Sequence, residues 1–475
     1  MAQPLNTDIC VIGGGSGGLS VAAAASQMGA KTILIEKGKM GGDCLNYGCV
    51  PSKSLISAGK VAATIRRAGQ FGIEAQEPAV NFSQVHDHVH DVIASIAPLD
   101  SVERFTALGV DVHQASAKFV SPQEVDAGGT RITAKRFVIA TGSAPAVPPI
   151  PGLQETPFWT NDTVFDNREK PDHLIVIGGG PIGLELAQAF RNLGSEVSVV
   201  EMLEPLAKED PELVGVVTAS LRRSGAAIHA LSKVVGVRNH SGEIVVEIER
   251  DGHSQEVRGT HLIVAAGRIP NISELGLDEA GIRYSRQGIE VDRSLRTTNR
   301  RVYAIGDVAG GLQFTHVANY HAGIVIRNAL FRLPAKVDYA AIPRTTYTDP
   351  ELAQVGLSEE EARERHGEIR VLRWPLSEND RAHTERHCDG LVKAITTKRG
   401  RVLGAGIVAP GAGDLIQPWV LAISKQLKIG ALAGMVVTYP TLSEISKRAA
   451  GSYYVPSLFG KKTRRLVRFL MRFTT

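Results

Sequence analysis

The chain predicts an α/β fold built on two Rossmann-like dinucleotide-binding domains. Three features carry that expectation: a glycine-rich fingerprint after an apolar N-terminal strand, a second copy of the fingerprint well downstream, and a cysteine pair placed just behind the first copy.

In the first copy, Asp8-Ile9-Cys10-Val11-Ile12 reads as a buried strand that runs into Gly13-Gly14-Gly15-Ser16-Gly17-Gly18 and an Ala-rich helix. Gly13 makes a tight turn, Gly15 lets backbone N–H groups approach a pyrophosphate, and Gly18 lets helix and strand pack closely. The phosphates would then sit on a helix N-terminus. Thr32-Ile33-Leu34-Ile35 forms the next strand and ends in Glu36, twenty-three residues after Gly13, where an acid holds ribose hydroxyls.

The second copy is Val176-Ile177-Gly178-Gly179-Gly180 with Gly183-Leu184, and Glu201 closes the strand Val197–Val200, again twenty-three residues after its first glycine. One chain therefore holds two dinucleotides. Glu201 favours NADH over NADPH, because a carboxylate accepts bonds from a free 2′-hydroxyl and repels a 2′-phosphate. No arginine occurs from Met202 to Lys208 to bind such a phosphate.

The cysteine pair lies in Gly41-Gly42-Asp43-Cys44-Leu45-Asn46-Tyr47-Gly48-Cys49-Val50-Pro51-Ser52-Lys53. A structural disulfide is an odd use of two of only four cysteines in a chain with no sign of an oxidising compartment, so a redox-active pair is expected. Val50 and Pro51 suit a helix entering just after Cys49, with its positive end near that sulfur. Lys53, one turn on, adds a second positive charge, and such surroundings make a thiolate. Four intervening residues, in place of the two of thioredoxin-like pairs, point to an electron donor other than a thiol. Cys10 reads as a core residue and Cys388, beside His387, as a stray loop thiol.

These residues resemble the class I pyridine nucleotide-disulfide oxidoreductases, the flavoprotein family of dihydrolipoamide dehydrogenase, glutathione reductase and mercuric reductase. The resemblance extends to Ala140-Thr141-Gly142-Ser143, Ala265-Ala266-Gly267-Arg268-Ile269-Pro270-Asn271 and Tyr303-Ala304-Ile305-Gly306-Asp307-Val308. It implies FAD and NADH as cofactors. Cofactor-binding roles carry over to Gly13, Gly15, Gly18, Glu36, Gly42, Lys53, Ala117, Thr141, Gly142, Gly178, Gly180, Gly183, Glu201, Gly267, Asp307 and Thr315. Lys53 would pair with Glu185, Thr315 and His316 would border the flavin, and His316 would pack there rather than act as a base. Cys44 would meet the substrate, while Cys49 would stay beside the flavin. No resident metal is implied.

The motifs and the Pro-rich stretch Pro145–Pro151, read as a linker, set the domain limits: a first FAD-binding segment over 1–148, an NAD(P)-binding domain over 152–269, a second FAD-binding segment over 270–337, and, by the resemblance, a C-terminal α/β dimerisation domain over 338–475 with a basic tail. A homodimer follows, with residues 439–444 of one subunit facing the disulfide of the other. There the chain departs from the family. Tyr439-Pro440-Thr441-Leu442-Ser443-Glu444 has tyrosine where the family has a histidine base backed by the glutamate. Tyrosine, with a pKa of about 10, is a poor base near neutral pH. Dihydrolipoamide-like or glutathione-like substrates need proton transfer at sulfur, which shifts weight toward a thiol-bound metal ion, while the Cys pair near the C-terminus expected of mercuric reductases is missing; a small disulfide or dithiol and a thiol-bound metal ion both stay open as acceptors. Two other readings stay open: an NADH:quinone carrier touching the membrane, and a redox-sensing flavoprotein.

Composition fits a large globular enzyme, with 43% hydrophobic residues and no apolar run of the ~18 residues a membrane span requires. The N-terminus has no basic region followed by an apolar stretch, and a reducing cytoplasmic setting is expected. The net charge of +4 resides in the tail, where Lys461, Lys462, Arg464, Arg465, Arg468 and Arg472 leave the body at −2, so nucleic acid is not an expected partner. Leu466, Phe469, Leu470 and Phe473 recur in that tail at helical spacing, the pattern of a helix lying on a membrane surface.

Overall fold

A mixed sheet, a set of parallel strands and two antiparallel sheets organise the chain, whose computed structural model describes residues 3–473. The chain forms two compact units. The first comprises 1–178, 189–200 and 232–337; the second comprises 179–188, 201–231 and 338–475.

In the first unit, the strand Leu5–Ile12 lies between Thr32–Glu36 and Thr130–Ile139, parallel to both. Val110–Gln114 extends the sheet on one side. On the other, Val302–Ala304 pairs in parallel with the end of Thr130–Ile139, and Glu124–Ala127 pairs antiparallel with its start. Ile9, Cys10, Val11 and Ile12 are all buried, as parallel strands covered on both faces require. A second parallel set in the same unit joins Glu196–Val200, His173–Ile177 and His261–Val264, accompanied by the antiparallel strands Lys233–His240, Glu243–Arg250 and His253–Gly259. Between the second and third strands of the first sheet come the helices Cys49–Arg67, Phe82–Ile96 and Val102–Ala107.

The second unit is built on a five-stranded antiparallel sheet in the order Arg344–Thr346, Glu351–Gly356, Val402–Ala409, Leu391–Thr397, Ile369–Pro375. Every residue of the central strand Val402–Ala409 is buried. Trp419, on the helix Gln417–Ser424, is fully buried and donates its indole N–H to Ser446 Oγ at 2.9 Å, a bond that fixes the helix Glu444–Ser452. Ile445 and Ala449 of that helix complete the core. Lys393, almost wholly buried, has carboxylates of Asp210, Glu212 and Glu359 at 2.7, 3.2 and 3.1 Å, so its buried charge is compensated. No helix among the described residues is long and apolar enough to cross a membrane.

The fingerprint glycines have the geometry that their spacing implies. Gly13 has φ +111°, and a Cβ there would lie 2.4 Å from the carbonyl oxygen of Ala140; a Cβ on Gly18 would lie 1.9 Å from that of Gly13. Gly18→Ala is therefore expected to lower stability by about 1–3 kcal/mol. Gly69→Ala, where a Cβ meets nothing within 4 Å, should stay within about 0.5 kcal/mol of the parent. Chemical denaturation of both variants checks the pair.

Candidate active site

The first fingerprint suits a pyrophosphate. Gly15 faces open space, the nearest atom to a Cβ there being Gly42 Cα at 3.9 Å, and the helix Ser16–Gln27 begins immediately after it. Glu36 accepts hydrogen bonds from Gly14 N at 2.5 Å and Gly38 N at 2.6 Å, which fixes its carboxylate beside the turn with lone pairs left for hydroxyl groups. Ala117 is half-buried at the start of the strand Ala117–Ser121. Thr141 and Gly142 are pinned by Asn271, whose side-chain amide donates to Thr141 O and whose backbone N–H donates to Gly142 O, both at 2.9 Å.

The second copy repeats these relations. Gly178 has φ +118°, and its Cβ would lie 2.4 Å from Ala265 O, the same distance as in the first copy. In the second unit, Gly180 faces open space, Gly183 is buried, and Glu201 accepts from Gly179 N at 2.6 Å and Leu203 N at 2.8 Å. Gly267, with φ +119°, likewise has nothing within 4 Å of a Cβ.

The loop bearing the cysteines is registered on the first fingerprint. Gly41 N donates to Gly14 O at 2.9 Å, and Gly41 and Gly42 have φ of +86° and +61°. A Cβ on Gly42 would lie 2.7 Å from Gly15 Cα, so the backbone approach that places the short helix Gly42–Asn46 needs glycine there. Cys44 lies in that helix. Cys49 is the first residue of the helix Cys49–Arg67, one residue earlier than the sequence suggested, and its sulfur sits at the positive end. Thr315 opens another helix, Thr315–Ala329, and its Oγ1 lies 3.3 Å from Cys49 Sγ. Two helix N-termini thus meet at one sulfur.

Cys44 and Cys49 lie in hydrogen-bond contact with each other. That contact, then the Thr315 hydroxyl and the charge of Lys53, outweigh burial and hold Cys49 down to about 6. The same contact, with burial, pushes Cys44 up. The pair therefore releases one proton readily and the second reluctantly, and near neutral pH it is a Cys49 thiolate beside a Cys44 thiol.

A polar cluster that sequence reasoning missed backs this loop. Arg268, nearly buried, places Nη2 3.1 Å from Asp43 Oδ1, donates through Nε and Nη2 to Ser143 Oγ and O at 2.7 and 2.9 Å, and has Nε 3.9 Å from Asp307 Oδ2. Ser143 Oγ in turn donates to Asp307 Oδ2 at 2.5 Å, and Asn161 donates to Asp43 Oδ1 at 3.2 Å. Burial raises the carboxyl pKa of Asp307 above its ordinary value. His321, fully buried and held down to about 4 by that burial, is neutral and accepts from Gly306 N at 3.1 Å, which fixes the turn carrying Asp307. Asp43, Ser143, Arg268 and Asp307 each lie in a run the sequence singled out, but their meeting was not legible because the runs are remote from one another in sequence.

The remaining candidates fall as follows. His316 is exposed and stacks on Phe314, with ring centroids 5.3 Å apart. Cys10 is buried in mid-strand, where burial raises its thiol pKa. Cys388 lies 3.6 Å from Nδ1 of His383, not of its neighbour His387. Among the described residues no group of three or more His, Cys, Asp or Glu is placed to hold a metal ion. In the second unit, Glu185 is buried and accepts from Tyr347 N at 2.8 Å. Tyr439, 66% exposed, donates its phenolic hydrogen to Asp380 Oδ2 at 2.9 Å. The Asp380 bond first, then the charges of Asp380 and Glu444, hold the phenol above its usual pKa.

Two nucleotide-binding turns and a helix-activated dithiol define an oxidoreductase of the two-dinucleotide type. The family model described as pyridine nucleotide-disulphide oxidoreductase matches residues 7–322, and its dimerisation domain matches residues 342–450. The chain belongs to the pyridine nucleotide-disulphide oxidoreductase family, whose members are NAD(P)H-dependent and FAD-dependent. A mercuric reductase of Bacillus cereus is 36% identical over 445 residues, covering 93% of this chain and 70% of that one. A dihydrolipoyl dehydrogenase of Bacillus subtilis (strain 168) is 35% identical over 460 residues, covering 94% and 96%. The Cu(II) complex of the HOCl-induced flavoprotein disulfide reductase RclA from Escherichia coli superposes with a TM-score of 0.84 at 27% identity, covering 93% of this chain and 99% of that one.

Titrating thiolate absorbance in the reduced protein should give a first midpoint near pH 6, moved upward in Thr315→Val and in Lys53→Met. A midpoint unmoved by either change contradicts the assignment. Asp43 opposes both thiolates, and Arg268 offsets its charge. Arg268→Met should therefore also raise the midpoint, and adding Asp43→Asn should bring it back. If the double variant stays as far displaced as Arg268→Met, the guanidinium acts by some route other than shielding Asp43.

Proposed function

We propose that the chain uses NADH to reduce a soft metal ion held by Cys44 and Cys49. The observation that carries this reading is the hydrogen bond from Tyr439 to Asp380. By family resemblance Tyr439, supplied by a second copy of the chain, stands where a histidine base exchanges protons with the substrate thiol. Its hydrogen is committed to Asp380 and its pKa is raised, so at neutral pH it offers sulfur neither a base nor a free acid. A disulfide substrate needs a proton for its leaving thiolate, whereas a metal ion does not. The mercuric reductase relatives and the Cu(II) complex of RclA support an acceptor of this class.

Within this reading, the metal ion meets the pair at Cys44, the Cys49 thiolate beside it is the second ligand, and binding displaces the proton of Cys44, so that two thiolates hold the ion. FAD, when bound, supplies the two-electron link between nicotinamide and the sulfur site. A first NADH, with one H⁺, opens the Cys44–Cys49 disulfide to the dithiol and leaves as NAD⁺; for each further NADH, one NAD⁺ and one H⁺ leave, and the two electrons reduce one M²⁺ to M⁰ or two M²⁺ to M⁺, with the dithiol regenerated. Thr315, Lys53 and the two helix ends keep Cys49 ionised, and the loop tie to Gly14 keeps both sulfurs in register. Glu201, held as an acceptor by Gly179 and Leu203, supports NADH over NADPH. The dimerisation domain supports a homodimer.

Steady-state turnover with thiol-complexed Hg²⁺ or Cu²⁺, lipoamide and oxidised glutathione tests the assignment. The metal should turn over at least about 10²-fold faster than either disulfide, the low end of what a missing general base costs. Cys44→Ser should abolish metal turnover, whereas persistence of turnover would favour direct reduction of the acceptor by the flavin, as with a quinone. Tyr439→His should raise disulfide turnover and leave metal turnover within about twofold. Faster reduction of lipoamide by the parent protein would overturn the proposal. The kcat/KM for NADH should exceed that for NADPH by at least about tenfold, with the ratio shrinking in Glu201→Ala.

A further inference from the structure

We infer that the helix Lys461–Leu470 and the turn after it form a docking surface for an anionic lipid bilayer. The inference goes beyond the redox reading and does not depend on the acceptor. Residues 461–473 are exposed apart from the half-buried Thr463; residues 474 and 475 of the basic tail lie outside the described residues.

At about 100° per residue, Leu466, Phe469 and Leu470 fall within one arc of the helix surface, and Phe473 lies in the turn that follows. Their exposures are 55%, 54%, 54% and 70%, and the rings of Phe469 and Phe473 touch edge to face at 5.1 Å, which makes the arc a continuous apolar strip. Leu458 and Phe459, also exposed, lie just before the helix. Lys461, Arg464, Arg465 and Arg468 occupy the rest of the helix surface, Lys462 sits at the start of the apolar arc one turn before Leu466, and Arg472 follows in the turn, with no acid in residues 461–475 to offset them.

Both faces must be satisfied by one partner. A polyanion such as nucleic acid would use the cations and leave the aromatic strip in water, at a cost that grows with the apolar area exposed. A second copy of the same helix would cover the strip but leave the cations of both copies in water without a counter-charge, since residues 461–475 contain no acid. An anionic bilayer satisfies both: apolar side chains enter the headgroup and acyl boundary, and flanking arginines reach back to lipid phosphates along their aliphatic stems.

Co-sedimentation of the full-length holoenzyme with phosphatidylcholine vesicles, with and without about 30% phosphatidylglycerol, tests this. Binding to the anionic vesicles should be at least about tenfold tighter and should weaken with added salt. Phe469→Ser/Phe473→Ser should lose binding to the anionic vesicles, and Arg464→Gln/Arg465→Gln/Arg468→Gln should lose the preference between the two vesicle types. Both variants should retain full NADH turnover with a soluble acceptor. Failure of the parent to bind anionic vesicles overturns the inference, as does undiminished binding by the Phe variant. A change of oligomeric state in the Phe variant, read by sedimentation velocity, would assign the strip to a contact between copies instead.

Discussion

One ionised sulfur sets the terms for the rest of the site. A thiolate in a partly enclosed place must be stabilised by fixed dipoles and nearby charge, and Cys49 has both: the start of its own helix, the start of the helix opened by Thr315, and Lys53 one turn along. Cys44 supplies the third element by hydrogen bonding to it. Splitting the two thiols in this way gives the pair one strong nucleophile and one proton-bearing thiol near neutral pH. That asymmetry is what a dithiol needs if its two sulfurs are to do different jobs.

Position matters as much as charge. The glycines before Cys44 take positive φ and lie against Gly14 and Gly15, so the turn suited to a pyrophosphate also sets the place of the sulfurs. Arg268 ties Asp43 on the cysteine loop to Ser143, and Ser143 to Asp307. Asp43 beside Cys44 would otherwise oppose ionisation of the pair, and a nearly buried guanidinium is well suited to offset it because it stays charged and donates in several directions at once.

What the sequence made legible was local. Gly13 and Gly18 report on turns and contacts within a few residues of themselves, and the spacing from Cys44 to Cys49 is its own signal; the two sets of parallel strands follow from apolar runs beside those glycines. What stayed hidden was brought in from afar. Thr315 reaches Cys49 across 266 positions, Arg268 reaches Ser143 across 125, and Asp380 reaches Tyr439 across 59, and no pattern within one segment marks such pairs. The resemblance placed Thr315 beside the flavin, and its bond to the Cys49 sulfur emerged only in three dimensions. The replacement of histidine by Tyr439 was plain in the sequence, but its consequence depended on Asp380, which opens the short helix Asp380–Thr384.

The central claim is that reduced nicotinamide loads its electrons onto Cys44 and Cys49. Mapping alkylated cysteines by mass spectrometry, before and after anaerobic addition of NADH to the oxidised holoenzyme, tests it most directly. The account requires Cys44 and Cys49 to be protected before NADH and labelled after it, with Cys10 and Cys388 unchanged. Bleaching of the flavin while both sulfurs stay protected would contradict it.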